Sequence, residues 1–218
     1  MKRELRVTED GSHTLYIEDL EETYHSIHGA IQESRHVFIE NGLLTVEKSS
    51  VRILETGLGT GLNLLLPFME NLRLQKKIFY HAVEKYPLKK KEYTLLNYEN
   101  ILHSAKGLLQ KIHSTPWHEE IMLDDRFSFL KEKADFRSML PAGKFDLVYF
   151  DAFAPSKQPQ LWTHELFDLV GRVMKPGGIL VTYSSRGEVR RTLAECDFQV
   201  QKLPGPPGKR EMIRAVRN

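Results

Sequence analysis

Three glycines at alternate positions follow an acidic residue at the end of an apolar segment. Residues 51–54 are mostly apolar, Glu55 comes next, and Gly57, Gly59 and Gly61 precede a second apolar stretch. Glycine lets the backbone turn sharply and approach a ligand without a Cβ in the way. The first turn of a helix offers free N–H groups. A strand, a glycine loop and a helix in this order therefore predict a site for a nucleotide-like cofactor.

The spacing of these glycines separates two classes of cofactor. A dinucleotide-binding loop has the pattern G-x-G-x-x-G, whereas here the third glycine comes one residue early and Leu62 takes the expected place. A G-x-G-x-G loop after an acidic strand end resembles the first motif of S-adenosylmethionine-dependent methyltransferases. The alternative is a tight turn without a ligand, which three alternating glycines after a buried strand disfavour.

Further acids stand where other strands of the same sheet are predicted to end. Glu84 follows an apolar segment, where a carboxylate can accept hydrogen bonds from ribose hydroxyls. The alternative for Glu84 is a surface acid among basic neighbours. Asp135 follows the next predicted strand and could bind an adenine amino group, although capping of a helix explains it nearly as well. Asp124 and Asp125 are rivals for the adenine role, but they precede that strand.

Asp151 is the strongest candidate for catalysis. It ends the apolar segment 145–150 and begins a Pro-rich loop. A carboxylate there could hold an amine by charge-assisted hydrogen bonds and orient its lone pair. An ordinary Asp is a weak base for an alkylammonium, so we expect it to position the amine and to take up the proton late or pass it to water. The alternative role is a helix or turn cap.

The sequence lacks the residue patterns of metal sites, hydrolases, P-loop proteins and disulfide-bonded proteins. His25 and His28 could share a helix face, but no Glu or Cys completes a recognisable ligand pattern, so we predict no metal site. Neither a G-x-S-x-G elbow nor a G-x-x-x-x-G-K-[ST] loop occurs, which argues against hydrolases and P-loop proteins. Cys196 is the single cysteine, which excludes an internal disulfide and a Cys-based zinc site.

Alternating apolar strands and helical segments must position these residues. Repeated β-α-β units predict an α/β fold with an open, mostly parallel sheet covered by helices. Residues 198–203 and 211–216 are predicted to pair as an antiparallel hairpin at its C-terminal edge. We expect one domain over residues 1–218, in which residues 1–50 form a loop-rich N-terminal extension packed on it.

Two boundaries within this pattern are set by turn signals. A helix over 164–174 is predicted to stop at a Lys-Pro-Gly-Gly turn over 175–178, before the strand 179–183. Residues 113–125, which include Pro116 and Trp117, are predicted as a loop.

Charge is distributed unevenly, although the formal net charge is only +2. Residues 71–91 hold seven basic residues and one acidic residue, and residues from 186 onward hold eight basic and four acidic ones. Such asymmetry suits an anionic partner such as RNA, and an ordinary solvated basic face accounts for it equally well. No apolar run is long enough to cross a bilayer and no signal-peptide core follows the N-terminus, so a cytoplasmic location without membrane attachment is expected.

Several segments together resemble the methyltransferase domain of the MnmC family, the bifunctional proteins of tRNA 5-methylaminomethyl-2-thiouridine biosynthesis. They lie within residues 24–38, 55–63, 84–88, 151–162 and 209–212. The most characteristic is D-x-F-A-P-x-K-x-P-x-x-W over residues 151–162. The resemblance extends over about residues 14–216 and implies a Rossmann-like class I methyltransferase fold, with helices on both faces of the sheet.

The resemblance also implies an activity and a set of site residues. The activity would be transfer of a methyl group from S-adenosyl-L-methionine to the 5-aminomethyl group of the wobble (2-thio)uridine, in the anticodon region of tRNA. Asp151 would lie at the target amine, and Glu84 and Asp135 would hold the ribose and the adenine. The other implied cofactor contacts are Glu55, Gly57, Gly59, Gly61, Asn63 and Lys85. The implied substrate contacts are Ser34, Phe153, Pro155, Lys157 and Trp162 at the mouth of the site, with Lys209 and Arg210 near the tRNA backbone.

Two-domain members of this family continue into an FAD-dependent oxidase. This chain carries no second glycine-rich dinucleotide motif, so we expect no oxidoreductase step in it. Two alternatives to a tRNA methyltransferase stay open. One is a methyltransferase or aminopropyltransferase that acts on a small amine, and the other is a non-catalytic RNA-binding protein with a degenerate cofactor fold.

Overall fold

The computed structural model describes residues 2–139 and 141–218, which form two β-sheets and seven α-helices. The strands are, in chain order, β1 Arg3–Val7, β2 His13–Ile17, β3 Glu22–Thr23, β4 Ser50–Thr56, β5 Lys77–Val83, β6 Glu120–Met122, β7 Phe127–Glu132, β8 Phe145–Tyr149, β9 Met174–Thr182, β10 Phe198–Pro204 and β11 Glu211–Arg217. The α-helices are α1 Ala30–Ser34, α2 Leu62–Leu74, α3 Lys90–Tyr93, α4 Tyr98–Leu102, α5 Leu108–Ser114, α6 His164–Val173 and α7 Gly187–Glu195. A π-helical segment, Arg35–Glu40, continues α1, and three short 3-10 helices cover Glu18–Leu20, Leu43–Thr45 and Pro159–Leu161.

The larger sheet has eight strands in the order β10-β11-β9-β8-β4-β5-β7-β6. The five central strands β9, β8, β4, β5 and β7 are parallel, whereas β6, β10 and β11 pair antiparallel to their neighbours. The chain runs outward from β4 through β5 to β7, and then returns to the other side of β4 with β8 and β9. The direction of winding therefore reverses between β4 and β8, and ligands bind at such a switch point, outside the carboxyl ends of the strands.

The central strands are apolar because both faces of the sheet are covered. In β4, Val51, Ile53 and Leu54 are fully buried. One apolar cluster on one face includes Leu64 and Leu65 of α2, and a second cluster on the other face includes residues of α6 and α7. Burial on both sides is the arrangement that parallel sheets require. The predicted mostly parallel sheet, with helices on both faces and an antiparallel C-terminal hairpin, is confirmed.

The first 50 residues contain more regular structure than the sequence pattern indicated. A separate antiparallel sheet has the order β1-β2-β3. Arg3 of β1 fastens this sheet to the rest of the molecule, because its guanidinium donates to the Glu92 carboxylate at 3.2 Å and to the backbone carbonyl of Tyr86 at 2.6 Å. These strands have two to five residues, and polar and apolar residues do not alternate regularly along them, so their sequences lack the pattern that predicts a strand.

Two predicted boundaries are wrong. Helix α6 is followed directly by β9, so the segment predicted as a turn over 175–178 belongs to the strand. Met174 pairs with Phe145, and the register then shifts, with Gly177 in the left-handed region at φ 72°. The glycines therefore form an irregularity inside a strand rather than a turn before it. In the predicted loop over 113–125 lies β6, an edge strand of three residues that is too short and too exposed to show a pattern.

Candidate active site

A cavity of about 710 Å³ opens at the carboxyl ends of β4, β5 and β8. The glycine loop after β4 and the segment after β5 form its inner walls. The N-terminal segment covers its outer side, where Tyr16 and Tyr24 line it. The loop after β8 and the tip of the β10–β11 hairpin complete the wall. The cavity therefore lies at the switch point of the sheet, and segments distant in sequence build it.

The glycine loop is held open by backbone conformations that favour glycine. Gly57, Gly59 and Gly61 have φ angles of 95°, 49° and 78°. A Cβ on Gly57 would meet nothing closer than 3.8 Å, so this glycine faces the open cavity. A Cβ on Gly59 would lie 3.0 Å from the Tyr24 ring. Gly61 begins α2 and packs against His113, and it does not line the cavity.

Glu84 is tied to the glycine loop. Its Oε2 accepts a hydrogen bond from the Gly59 N–H at 2.9 Å, and its Oε1 accepts one from the Tyr86 N–H at 2.6 Å. The side chain is buried and lines the cavity. Each carboxylate oxygen can accept more than one hydrogen bond. Glu84 is therefore fixed in orientation and keeps acceptor capacity for hydroxyl groups.

Asp135 lies in a cluster of cations at the same end of the cavity. Its Oδ2 accepts hydrogen bonds from Arg137 Nη2 at 2.7 Å and from Lys85 Nζ at 2.9 Å. Its Oδ1 accepts from the backbone N–H and the Nε of Arg137, at 3.0 and 3.1 Å. The Arg137 guanidinium, followed by Lys85, holds the pKa of the Asp135 carboxyl well below its usual range. An adenine amino group would therefore compete with protein donors for this carboxylate.

Asp151 stands at the centre of the cavity wall. Its backbone N–H donates to Thr56 Oγ1 at 3.0 Å, and its Oδ2 accepts from Asn63 Nδ2 at 2.7 Å. Burial raises the pKa of the carboxyl to about 7, with a further increase from the Glu33 carboxylate, whereas Asn63 and Lys209 act in the opposite direction. Asp151 is therefore a stronger base than the ordinary Asp assumed from the sequence.

Glu55 lies beneath the glycine loop rather than on the cavity surface. It is fully buried, and neither of its carboxylate oxygens has a hydrogen-bond partner among the described residues. The neighbouring Tyr80 hydroxyl donates instead to the backbone carbonyl of Asn63 at 2.9 Å. Burial, followed by the charge of Asp151, raises the pKa of Glu55 well above its ordinary value. The expected direct contact of Glu55 with a cofactor is therefore corrected, because the carboxyl lies one layer deeper.

The buried polar groups under the loop provide a test of cofactor fit. The side-chain carbonyl of Asn63 also lacks a partner among the described residues. An unpaired buried acceptor costs free energy unless a donor reaches it. The unpaired Asn63 carbonyl at the cavity wall, next to an open glycine loop and an oriented Glu84, suits a ligand with a cationic amino-acid end and a ribose. These residues fit S-adenosyl-L-methionine.

Phe153 and Lys157 are the predicted mouth residues that the structure places at the cavity. The Phe153 ring packs edge-on against Tyr24 with 5.1 Å between ring centroids. Lys157 forms an ion pair with Glu21 at 3.4 Å. Both contacts join the loop after β8 to the N-terminal segment, so these two segments frame one opening.

Three other predicted mouth residues need correction. Trp162 is 7% exposed, packs against Phe150, and donates its indole N–H to the Phe153 carbonyl at 2.9 Å. It therefore supports the loop from inside and offers no surface for stacking on a base. Pro155 is buried outside the cavity, and so is Ser34. All three residues are buried and none of them lines the cavity.

The two predicted tRNA contacts at the hairpin tip diverge. Arg210 is exposed on the outer surface. Lys209 turns inward, lines the cavity and forms an ion pair with the buried Glu33. The prediction that Lys209 lies along a tRNA backbone is therefore corrected, because its ammonium is held inside the pocket.

Sequence reasoning missed several residues that line this cavity. They are Tyr24, Glu33, Thr56, Arg137 and Tyr183. Glu33 is adjacent to Ser34, in a segment that carried the family resemblance. The sequence therefore indicated the right segment but the neighbouring residue. Arg137 follows Asp135 by two residues, a spacing that allows the observed bidentate pairing.

The described residues contain no group of three or more His, Cys, Asp or Glu side chains that could hold a metal ion. The two histidines considered for such a site have other partners. His25 Nε2 lies 2.6 Å from Thr60 Oγ1, and burial lowers the pKa of His25 to about 4. His28 Nδ1 lies 2.9 Å from Glu9 Oε1. Among residues 2–139 and 141–218, no helix has the length and apolar character that a bilayer crossing requires.

Comparisons with known proteins agree with this geometry. Residues 89–218 match the family model of S-adenosyl-L-methionine-dependent methyltransferases. The tRNA 5-methylaminomethyl-2-thiouridine biosynthesis bifunctional protein MnmC of Pseudomonas savastanoi pv. phaseolicola is 32% identical over 213 residues, which cover 91% of this chain and 32% of that protein. The MnmC protein of Chromobacterium violaceum is 32% identical over 206 residues, with 88% and 31% covered. The chain thus spans about a third of the length of these curated relatives.

Solved structures support the same assignment. The crystal structure of MnmC2 from Aquifex aeolicus is 30% identical, with a TM-score of 0.81 over 100% of this chain and 70% of that one. Streptomyces venezuelae DesVI is 13% identical with a TM-score of 0.50, over 86% of this chain and 92% of that chain, and shows the shared fold alone. The chain belongs to the S-adenosyl-L-methionine-dependent methyltransferase family and, within it, to the family of MnmC2. Its cofactor is S-adenosyl-L-methionine, and the resemblance recognised in the sequence is confirmed.

Proposed function

We propose that this methyltransferase transfers a methyl group to the 5-aminomethyl nitrogen of the wobble (2-thio)uridine of tRNA. The names of the curated relatives and the MnmC2 structure support the choice of substrate. The observation that carries the choice of reaction is the placement of Asp151, a carboxylate with a pKa of about 7, in the same cavity as the glycine loop. Such a group can accept a proton from a substrate ammonium near neutral pH.

The residues of the chain divide the work of this reaction. The cofactor supplies an activated methyl group, so the protein must bring an unprotonated nitrogen in line with it. Gly57 leaves room for the cofactor, and Glu84, which the Gly59 N–H holds in place, accepts hydrogen bonds from its ribose. Asp151, held by the Asn63 amide, takes a proton from the substrate ammonium and then holds the neutral amine in place. Lys85 and Asp135 border the cofactor at the far end of the cavity.

Exposed cations near the opening suit the tRNA backbone. Lys85, Lys89, Lys90 and Lys91 are exposed along one segment beside the cavity, and Arg210 is exposed at the hairpin tip. Neutralised phosphates release counterions, so tRNA affinity should fall steeply as salt rises. The anticodon region would bind across these segments, with the N-terminal 50 residues forming part of the same methyltransferase unit. The reaction would take place in the cytoplasm, where tRNA is available.

Nucleoside mass spectrometry tests this function directly. The purified protein is incubated with S-adenosyl-L-methionine and tRNA that carries 5-aminomethyl-2-thiouridine, and the nucleosides are analysed after digestion. We expect conversion to the methylaminomethyl form. Asp151→Ala should abolish turnover while calorimetry still detects cofactor binding. Asp168→Ala, which removes an exposed carboxylate on α6, is the matched control and should keep full activity.

A free nucleoside provides the second arm of this test. If 5-aminomethyluridine alone is methylated as efficiently as the tRNA, and tRNA affinity does not depend on salt, the enzyme acts on a small amine and the tRNA assignment is wrong. Absence of methylation on every amine, with cofactor bound, would leave a non-catalytic protein.

A further inference from the structure

A second carboxylate lies in the cavity that contains Asp151. Glu33 of α1 is 6% exposed and lines the cavity. Its Oε1 accepts a hydrogen bond from the Ser26 N–H at 3.1 Å, and its Oε2 accepts one from the ammonium of Lys209. Two carboxylates in one buried pocket repel each other, and one of them is then driven to bind a proton. A cation placed on one of them removes this conflict.

The hairpin between β10 and β11 places that cation. Gly205 allows the tight turn, because a Cβ there would lie 2.4 Å from the Lys209 carbonyl oxygen. The Lys209 N–H donates to the Pro206 carbonyl at 2.9 Å, which fixes the tip. The hairpin also contacts the N-terminal segment, since His36 Nε2 lies 2.8 Å from the Pro204 carbonyl. Lys209 therefore enters the cavity from an anchored loop.

The Lys209 ammonium has a second contact inside the cavity. It lies 3.8 Å from the ring centroid of Tyr183, a cation–π distance. The Tyr183 hydroxyl in turn donates to the Ala152 carbonyl at 2.9 Å, next to Asp151 in the chain. The carboxylate of Glu33, the ammonium and the ring thus form a fixed group on the side of the cavity that faces Asp151.

We propose that the Glu33–Lys209 ion pair is a positioning device for the acceptor amine, in which Lys209 cancels the charge of Glu33 so that Asp151 alone carries the negative charge that meets the amine. This inference rests on the proposed function. With the pair intact, the group of Asp151, Glu33 and Lys209 has one net negative charge, which a substrate ammonium neutralises. Without Lys209 it would have two, and without Glu33 the lysine would repel the substrate.

The other ionisable groups around Asp151 fit this balance. Glu55 lies beneath it in the core and is driven toward its neutral form by burial. Burial raises the pKa values of Tyr80 and Tyr183 well above the ordinary value, so both stay neutral. The ionisable groups that interact electrostatically with Asp151 are Glu33, Glu55, Tyr80, Tyr183 and Lys209, and Glu84 lies on the other side of Gly57. Glu33 and Lys209 are the two in this group whose charges oppose each other.

Asp151 is the protein group that takes up and releases the proton in the methyl transfer. The substrate ammonium gives one proton to the Asp151 carboxylate, which leaves a neutral amine and a neutral carboxyl. The nitrogen lone pair then forms the new N–C bond while the S–C bond breaks and its electron pair stays on sulfur. The product is a secondary ammonium, and Asp151 later returns its proton to water. Glu33 and Lys209 neither gain nor lose a proton.

The test measures the titration of Asp151 in variants of the pair. In protein labelled with 13C at the Asp carboxyl groups, Asp151→Asn identifies the resonance, and its midpoint is followed with pH. Glu33→Gln should lower the midpoint, and Lys209→Met should raise it, each by about one pH unit. The acidic limb of kcat/KM on aminomethyl-uridine tRNA should move in the same directions. Lys209→Arg keeps the charge and should keep the wild-type midpoint.

The double variant Glu33→Gln with Lys209→Met completes a cycle. It should titrate near the wild-type midpoint, because both charges are gone together. Single variants that leave the midpoint unchanged, or that move it in the same direction, would overturn the proposal. So would a Lys209→Met variant that only raises KM for tRNA and lowers its salt dependence, since that is the behaviour of a phosphate contact. If no amine is methylated while the 13C midpoints still move as expected, the charge coupling stands and the proposed function is the part that fails.

Discussion

Asp151→Asn should stabilise the protein relative to wild type, and this stability difference should be larger at pH 8 than at pH 5. Burial raises the pKa of this carboxyl from 3.8 to about 7, so the folded state resists its ionisation. The free-energy cost of ionising this carboxyl in the folded state is absent below the unfolded pKa of 3.8. It grows as the pH rises toward 7 and is constant above pH 7. An amide carries no such penalty at any pH.

The magnitude follows from the two pH units between 5 and 7. Each unit corresponds to about 1.4 kcal/mol, so the stability advantage of Asp151→Asn over wild type should grow by about 2.7 kcal/mol between pH 5 and pH 8. For a chain of this size that is a difference of roughly 5 to 11 °C in melting temperature. The Asn63 amide keeps a carbonyl acceptor in the variant, so the change in charge is the main effect.

Thermal unfolding of the cofactor-free protein at the two pH values measures this difference. Asp135→Asn is the control of opposite sign. Arg137 and Lys85 depress the pKa of Asp135, so its stabilisation is present above the unfolded pKa and is lost only as pH falls below about 4. That variant should be destabilised equally at pH 5 and pH 8. If Asp151→Asn changed the melting temperature relative to wild type by the same amount at both pH values, the argument that the folded state disfavours ionisation of Asp151 would be refuted.

Three further outcomes test the fold and the cavity. Gly57→Ala should cost about 1–2 kcal/mol of stability, because the φ angle of 95° is unfavourable for alanine. Calorimetry should also show that S-adenosyl-L-methionine binds about tenfold more weakly, because the added Cβ enters the cavity. Lys131→Met should lower the stability to urea by about 2–4 kcal/mol, because the fully buried ammonium donates to three backbone carbonyls, including that of Ile112 at 2.6 Å. Trp162→Phe should cost about 1–3 kcal/mol of stability and leave tRNA affinity unchanged; a lower tRNA affinity at unchanged stability would restore the idea that this indole stacks on a base.

The parts of the site that were predictable are those fixed by the ends of strands. An apolar segment that ends in a polar residue defines where the residue lies in a parallel sheet, and Glu84 and Asp151 were found in this way. The glycine loop was predictable for a similar reason, since alternate glycines serve a backbone that turns toward a ligand. These positions depend on local pattern and on the topology that the pattern implies.

The remaining parts depend on which way a side chain points, and local sequence does not determine this. Ser34 was predicted and Glu33 was found, although the two are neighbours, because adjacent helical residues point about 100° apart. Trp162 stands in a characteristic motif, yet it is buried as support for Phe153. Lys209 looked like part of an exposed basic segment until the hairpin turned it toward Glu33.

The residues that we assign to the cofactor and those that we assign to the acceptor come from different segments of the chain. The glycine loop, Glu84 and Asp151 follow the central parallel strands β4, β5 and β8. The residues that we propose to surround the acceptor come from the two ends of the chain: Tyr24 and Glu33 precede β4, and Lys209 follows β10. A common sheet can hold the same cofactor for many acceptors, because only the covering segments reach the amine. Changes in acceptor specificity should therefore map to the N-terminal segment and the C-terminal hairpin, while changes in the loop after β4 should alter cofactor affinity alone.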